Sequence, residues 1–216
     1  MKTLENHMAS NHGGVTHRKS SQTFVIVDGA NVFQTAKRFE PFYRGKIVSA
    51  RSLCEPDRGE ASVRVDLCRL MHLLQMEYEP FLSPPLLVSG AHPGLEPTLH
   101  YAEKAGFELR EIPMKAGSRE RGVDQMLTFE LGQVTARYRP DQVRIVLLAG
   151  DKDYAPSVRR LVELGFQVEV LFYSGPEGCL TSRDLREAAT SFRTLDLAHQ
   201  GLTFQERSRQ GSPYLA

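Results

Sequence analysis

The chain has 216 residues and a formal net charge of +1, from 27 Lys and Arg against 26 Asp and Glu. That length suits one globular domain with a sizeable core, and the balanced charge excludes a surface that is basic or acidic overall, so any basic patch must be local. Three scattered cysteines, Cys54, Cys68 and Cys179, show no CxxC and no histidine at metal-ligand spacing, which excludes a zinc module and a disulfide framework and fits a reducing cytosol.

Residues 1–22 are polar and rich in Ser, Asn, His and Gly. They hold too little apolar surface to offset the entropy of ordering, so a disordered N-terminal tail is expected, with His7, His12 and His17 as solvated side chains. The segment has no apolar core of signal-peptide length, and no stretch of about 18 apolar residues occurs anywhere. A soluble, cytoplasmic protein with no membrane partner is expected.

The first apolar run, "TFVIVDG" (23–29), carries Asp28 at its end and Asn31 three residues on. Residues 40–62, "EPFYRGKIVSARSLCEPDRGEAS", show no clear period and read as a lid, a substrate loop or a plain surface insertion. A helix is expected over 63–78, with Val63, Leu67, Leu70 and Leu74 on one face. The strand "PLLVSGA" (85–91) and a helix over 95–105 follow. "FELREI" (107–112) then alternates polar and apolar residues, as a strand near a sheet edge does.

The second half keeps the same rhythm. A helix over 122–138 precedes "QVRIVLLAG" (142–150), a helix over 154–164 precedes "FQVEVLFY" (166–173), and a helix over 182–190 precedes the weaker run "FRTLDL" (192–197). Gly106 and Gly165 stand where helices end on a left-handed residue. This alternation predicts one α/β domain over 23–198, with a parallel sheet of five to six strands sandwiched between helices and a flexible tail over 199–216.

In such a sheet, ligands bind beyond the carboxyl ends of the strands. Asp28 and Asn31 belong to that rim, and so do Asp151 and Asp153 in "AGDKDY" after the fourth strand. Asp124 opens the helix that leaves the same rim after the third strand. Carboxylates gathered this closely need a compensating cation, and a hard divalent ion with oxygen ligands and retained waters suits them. Each acid also has an ordinary structural use, as a turn residue, a helix cap or a charge against the helix dipole.

With these residues assembled, the chain resembles the NYN domain family, PIN-like nucleases that include the bacterial LabA-type proteins. The resemblance covers about residues 22–198 and rests on "FVIVDGANVF", "RGVDQMLTFELG" and "IVLLAGDKDYAPSVRRLVELGFQVEV", with support from "LTSRDLREAATSFRTLD". It implies a PIN-like sheet of order 3-2-1-4-5, Mg2+ or Mn2+ as cofactor, and hydrolysis of RNA. By the same resemblance Asp28, Asp124, Asp151 and Asp153 would be metal ligands or orient metal-bound water, Asn31 would position a ligand or phosphate, and Glu130 is a secondary candidate. PIN-like relatives often dimerise, so a homodimer is also among the expectations.

The chain departs from the family's usual "SGDSDF": Ala149, Lys152 and Tyr154 replace the two serines and the phenylalanine. Lys152 would face away from its flanking acids if the segment were extended. Lys115, Arg119 and Arg121, in "PMKAGSRERG" ahead of Asp124, are candidate phosphate contacts with Lys152, and Lys37, Arg38 and Arg44 follow the first motif. The leading expectation is a metal-dependent ribonuclease acting on single-stranded or structured RNA. A catalytically inactive PIN-like module that binds RNA or protein is the alternative. A haloacid dehalogenase-like phosphatase is disfavoured, because Ala30 stands where that chemistry needs a second aspartate.

Overall fold

The computed structural model describes residues 21–47, 49–53, 59–91, 96–113 and 122–206. The expected N-terminal tail, up to residue 20, and the last ten residues lie outside them.

The chain starts with β1 (Gln22–Asp28), buried from Thr23 onward, as a strand covered on both faces must be. It passes without a loop into α1 (Gly29–Tyr43), because Asp28 serves both as the last strand residue and as the helix N-cap. There follow α2 (Ala50–Leu53), β2 (Val63–Val65), α3 (Leu67–Tyr78), β3 (Leu86–Ala91), α4 (Glu96–Ala105) and β4 (Glu108–Pro113). The second half runs through α5 (Val123–Arg137), β5 (Val143–Leu148), a 3-10 turn (Lys152–Tyr154), α6 (Ala155–Glu163) and β6 (Gln167–Phe172). It closes with α7 (Arg183–Ala188), β7 (Ser191–Thr194), α8 (His199–Leu202) and β8 (Thr203–Gln205).

Six strands form one parallel sheet in the order β4-β3-β1-β5-β6-β7. Numbered by their place among these six, that is 3-2-1-4-5-6, the expected order with a sixth strand at the edge. β4 lies at the other edge and is nowhere fully buried, as its alternation implied. Gly106 and Gly165 take positive φ angles of 100° and 91°, the left-handed endings read from the sequence. From β1 the chain steps towards β3 and β4, then returns to β5 and steps the other way, so right-handed crossovers put helices on both faces. α3 packs on α4 on one side, and α5, α6 and α7 pack in series on the other.

Three segments differ from the sequence reading. Residues 29–43 form a helix that the reading left unassigned, its last turn containing Pro41. The helix expected from residue 63 begins at Leu67, because Asp66 takes the N-cap and accepts from the Arg69 amide. The three residues before it extend instead, and pair antiparallel with β8 (Val63 with Gln205, Val65 with Thr203). The segment expected as a flexible tail from 199 is therefore folded as far as Gln205.

What draws that segment in is His199, which is fully buried. Its Nε2 lies 2.7 Å from Glu40 Oε2 and its Nδ1 3.1 Å from the Tyr173 hydroxyl, with Phe39, Tyr43 and Tyr173 packed round the ring. Glu40 is itself buried and pairs with Arg44. A buried polar pair keeps its geometry because removing either partner strands the other.

Burial is the main force on His199 and lowers its pKa below the ordinary 6.5, against the opposing pull of Glu40. Burial pushes Glu40 up, but the hydrogen bonds from Arg44 and His199 outweigh it and hold the carboxyl below its ordinary 4.5. Below 6.5 the unfolded chain therefore takes up a proton that folded His199 refuses, and below 4.5 Glu40 adds the same imbalance. Acid thus costs stability through both groups. Thermal melts should show the midpoint falling from about pH 7 to about pH 5. The His199→Gln variant should start lower and lose less over the same interval.

Candidate active site

The sheet's switch point lies between β1 and β5, whose onward connections run in opposite directions. The register pairs Val27 with Leu148, so Asp28 and Ala149 come next on neighbouring strands, followed by Gly29 and Gly150. Both chains turn there and leave backbone groups that the ladder no longer satisfies. Side chains of the two motifs take them over. Asp28 Oδ1 accepts from the Asn31 amide at 2.9 Å, and Asn31 Oδ1 accepts from the Gly150 amide at 2.8 Å, joining segments 119 residues apart. The Gly150 carbonyl accepts from the Ser182 amide at 2.8 Å. A Cβ at Gly150 would stand 2.6 Å from Phe172 Cδ1 and 2.7 Å from the Leu180 carbonyl oxygen, so no side chain fits.

Asp151 caps the short turn that follows, its Oδ1 accepting from the Asp153 amide at 3.1 Å. The turn carries Lys152 and Asp153 outward, where both are exposed, and swings Tyr154 inward, where it is fully buried. The picture of Lys152 opposed to its flanking acids on an extended chain is thereby corrected: the segment is a 3-10 turn, closed by that cap. Among the described residues Lys152 has no ion-pair partner.

Asp124 comes from α5, one residue past its start, on a first turn that favours negative charge. The chain enters that helix through Gly122 at φ 133°, with the Ile112 side chain 3.0 Å from where a Cβ would be. The Tyr154 hydroxyl lies 2.6 Å from Asp124 Oδ1 and 2.7 Å from Asp28 Oδ2. Asp28 and Asp124 thus converge on one buried polar point. Burial, then the Asp28 charge and the hydrogen bonds to both carboxylates, push the Tyr154 phenol far above its ordinary value, so it stays protonated.

The other candidates are placed less centrally. Among the described residues no three of His, Cys, Asp and Glu stand close enough together to hold a metal ion. Asp151 and Asp153 adjoin the convergence point as members of the neighbouring turn. Glu130 lies away from it, bonded to Arg110 at 3.2 Å, and lines a cavity with Phe24 and Leu86 near the amino ends of β1 and β3. Arg44 is engaged with Glu40, and Arg38 donates to the Thr35 hydroxyl at 3.2 Å. Burial and the nearby Arg64 charge lower the Lys37 pKa. Lys115, Arg119 and Arg121 lie outside the described residues.

Tyr154 is the site residue that reading the sequence undervalued, as a mere departure from a phenylalanine. The signal was present in an aromatic hydroxyl two residues after an acid pair's midpoint, but its meaning depends on where α5 sets Asp124.

The Asn31 bridge sets an expectation of its own. Asn31→Ala should cost about 1–2 kcal/mol in urea unfolding, from the loss of one hydrogen bond and an unsatisfied Gly150 amide. The Gly150 amide should also exchange with deuterium faster, while the amides of β6 stay protected.

A family model described as "NYN domain" matches residues 22–196. The crystal structure of a protein of unknown function from Vibrio parahaemolyticus superposes with a TM-score of 0.58 at 22% identity, over 87% of this chain and 96% of that one. Likeness at that identity shows the fold. No curated protein matches significantly. The family match spans the whole parallel sheet, and its motifs meet at the sheet's carboxyl rim; the chain belongs to the NYN domain family, a family of PIN-like nucleases.

Proposed function

We propose that the protein is a metal-dependent ribonuclease that hydrolyses RNA phosphodiester bonds at the rim formed by Asp28, Asp124 and Asp151. The observation that carries this reading is the convergence of the Asp28 and Asp124 carboxylates on one buried point, at 2.7 and 2.6 Å from the same oxygen. Two carboxylates with water completing the shell suit Mg2+ or Mn2+, which is commonly held by one or two carboxylates plus substrate phosphate. When bound, such an ion supplies charge neutralisation at the phosphate and an activated water as nucleophile.

The chain's own residues divide the remaining work. Asp28 and Asp124 would hold the cation, and the backbone positions of both are set by helix starts. Asn31 keeps the Gly150 turn against β1 and so fixes where Asp151 stands. Asp151 and the exposed Asp153 put further carboxylates at the mouth, suited to accept the proton that an attacking water gives up. Lys152, exposed in the same turn, offers its charge to the RNA backbone, and by sequence we assign the same role to Lys115, Arg119 and Arg121. Contacts to phosphate carry no base information, which fits single-stranded or structured RNA without sequence preference.

The Tyr154 hydroxyl between the two carboxylates favours a second reading, a PIN-like module that binds RNA or a protein and turns nothing over. Cleavage assays on labelled RNA separate the two. Wild type with Mn2+ should cut, and chelation should stop it. Asp28→Asn and Asp151→Asn should each lose about a hundredfold or more in rate while keeping a native circular dichroism spectrum. Cleavage retained in both variants, or tight RNA binding without turnover across several divalent metals, overturns the ribonuclease reading.

A further inference from the structure

Tyr154 is fully buried in the wall of the site, reached by a 3-10 turn that Asp151 caps and that Asn31 ties to β1 through Gly150. Its hydroxyl oxygen lies within 2.7 Å of a carboxylate oxygen from β1 and of another from α5. A phenol has a single hydrogen. It can donate to only one of the two acids at a time, so the other short contact has no phenolic hydrogen of its own.

From this arrangement we infer that the Tyr154 hydroxyl takes the place of a cation between Asp28 and Asp124, holding the metal-free site together and competing with a divalent ion for the same two oxygens. The inference rests on the reading of Asp28 and Asp124 as metal ligands. Tyr154 is a positioning residue in this role: it sets the spacing of the two acids without touching the phosphate. The competition is built in. An ion that draws both oxygens into its shell takes away the acceptors of the phenol, and the buried ring, seated behind α5 and α6, has no exit to solvent. The site thus trades a hydrogen bond for every ion it binds, and its affinity is set below what the two carboxylates alone would reach.

Tyr154→Phe separates the hydroxyl from the ring, which keeps its buried seat. Calorimetric titration with Mn2+ should show the variant binding about tenfold more tightly than wild type, the worth of one charge-assisted hydrogen bond. Its metal-free melting temperature should be lower than that of wild type, and Mn2+ should raise it by more. A loss of packing alone would not tighten metal binding. Unchanged, weaker or absent Mn2+ binding in Tyr154→Phe overturns the inference. If that variant does not fold, Asp124→Asn carries the test, because the amide supplies the hydrogen that the second contact lacks. Asp124→Asn should then melt above metal-free wild type and no longer respond to Mn2+; a lower melting temperature overturns the inference. Mn2+ binding that tightens as expected, with no RNA cleavage by either protein, leaves the inference standing and overturns the ribonuclease reading.

Discussion

The structure turns on a shortage of backbone partners where β1 and β5 end side by side. Strands in the middle of a parallel sheet satisfy each other's amides and carbonyls until they stop, and at the stop every group must find a new partner. Here the partners are the motif residues themselves. Asp28 takes the first turn of α1, Asn31 takes the Gly150 amide, and Asp151 takes the turn that follows. The same carboxylates and amide are thus the caps that satisfy backbone amides where the two strands end. Under the proposed function, chemistry and folding draw on one set of atoms, and Gly150, with no room for a Cβ beside Phe172 and the Leu180 carbonyl, lets the turn after β5 pack closely.

A second consequence follows for electrostatics. Once the caps have fixed the backbone, Asp28 and Asp124 have little freedom to separate, and two carboxylates directed at one buried point repel unless something positive or hydrogen-bonding lies between them. The turn capped by Asp151 delivers the Tyr154 hydroxyl there. The rim therefore carries its own partial compensation, whereas Lys152, in the same turn as Tyr154, is exposed. At the far end of α1 the buried pair of Glu40 and His199 plays a comparable part in holding the chain's end, with a hydrogen-bonded imidazole in place of a phenol.

Much of the architecture could be read from pattern alone. Continuous apolar runs such as "IVLL" mark strands buried on both faces, and alternation in "FELREI" marks the edge, because burial on one or two faces leaves different periods. Less could be read where local signals compete. Val63 and Val65 fit a helix face as well as a short strand, and only a partner from residues 203–205 decides for the strand. His199 falls at the start of a segment that reads as a flexible tail until Glu40 and Tyr173 close around it. Glu130 shares a helix with Asp124, yet the six-residue spacing carries it along the axis to Arg110.

The sequence by itself determined the order of the six sheet strands along the chain and of most helices between them, the residues at the strands' carboxyl ends and the acidic character of the rim, since these depend on local period and chain direction. Only the tertiary structure decided which of those acids meet. Asp28 and Asp124 come together because α5 crosses back behind β1, and Asp151 stays in its own turn because the Asp153 amide claims its side chain. A tyrosine becomes their shared partner for the same reason: distances between side chains from separate elements are set by packing, which no local pattern encodes.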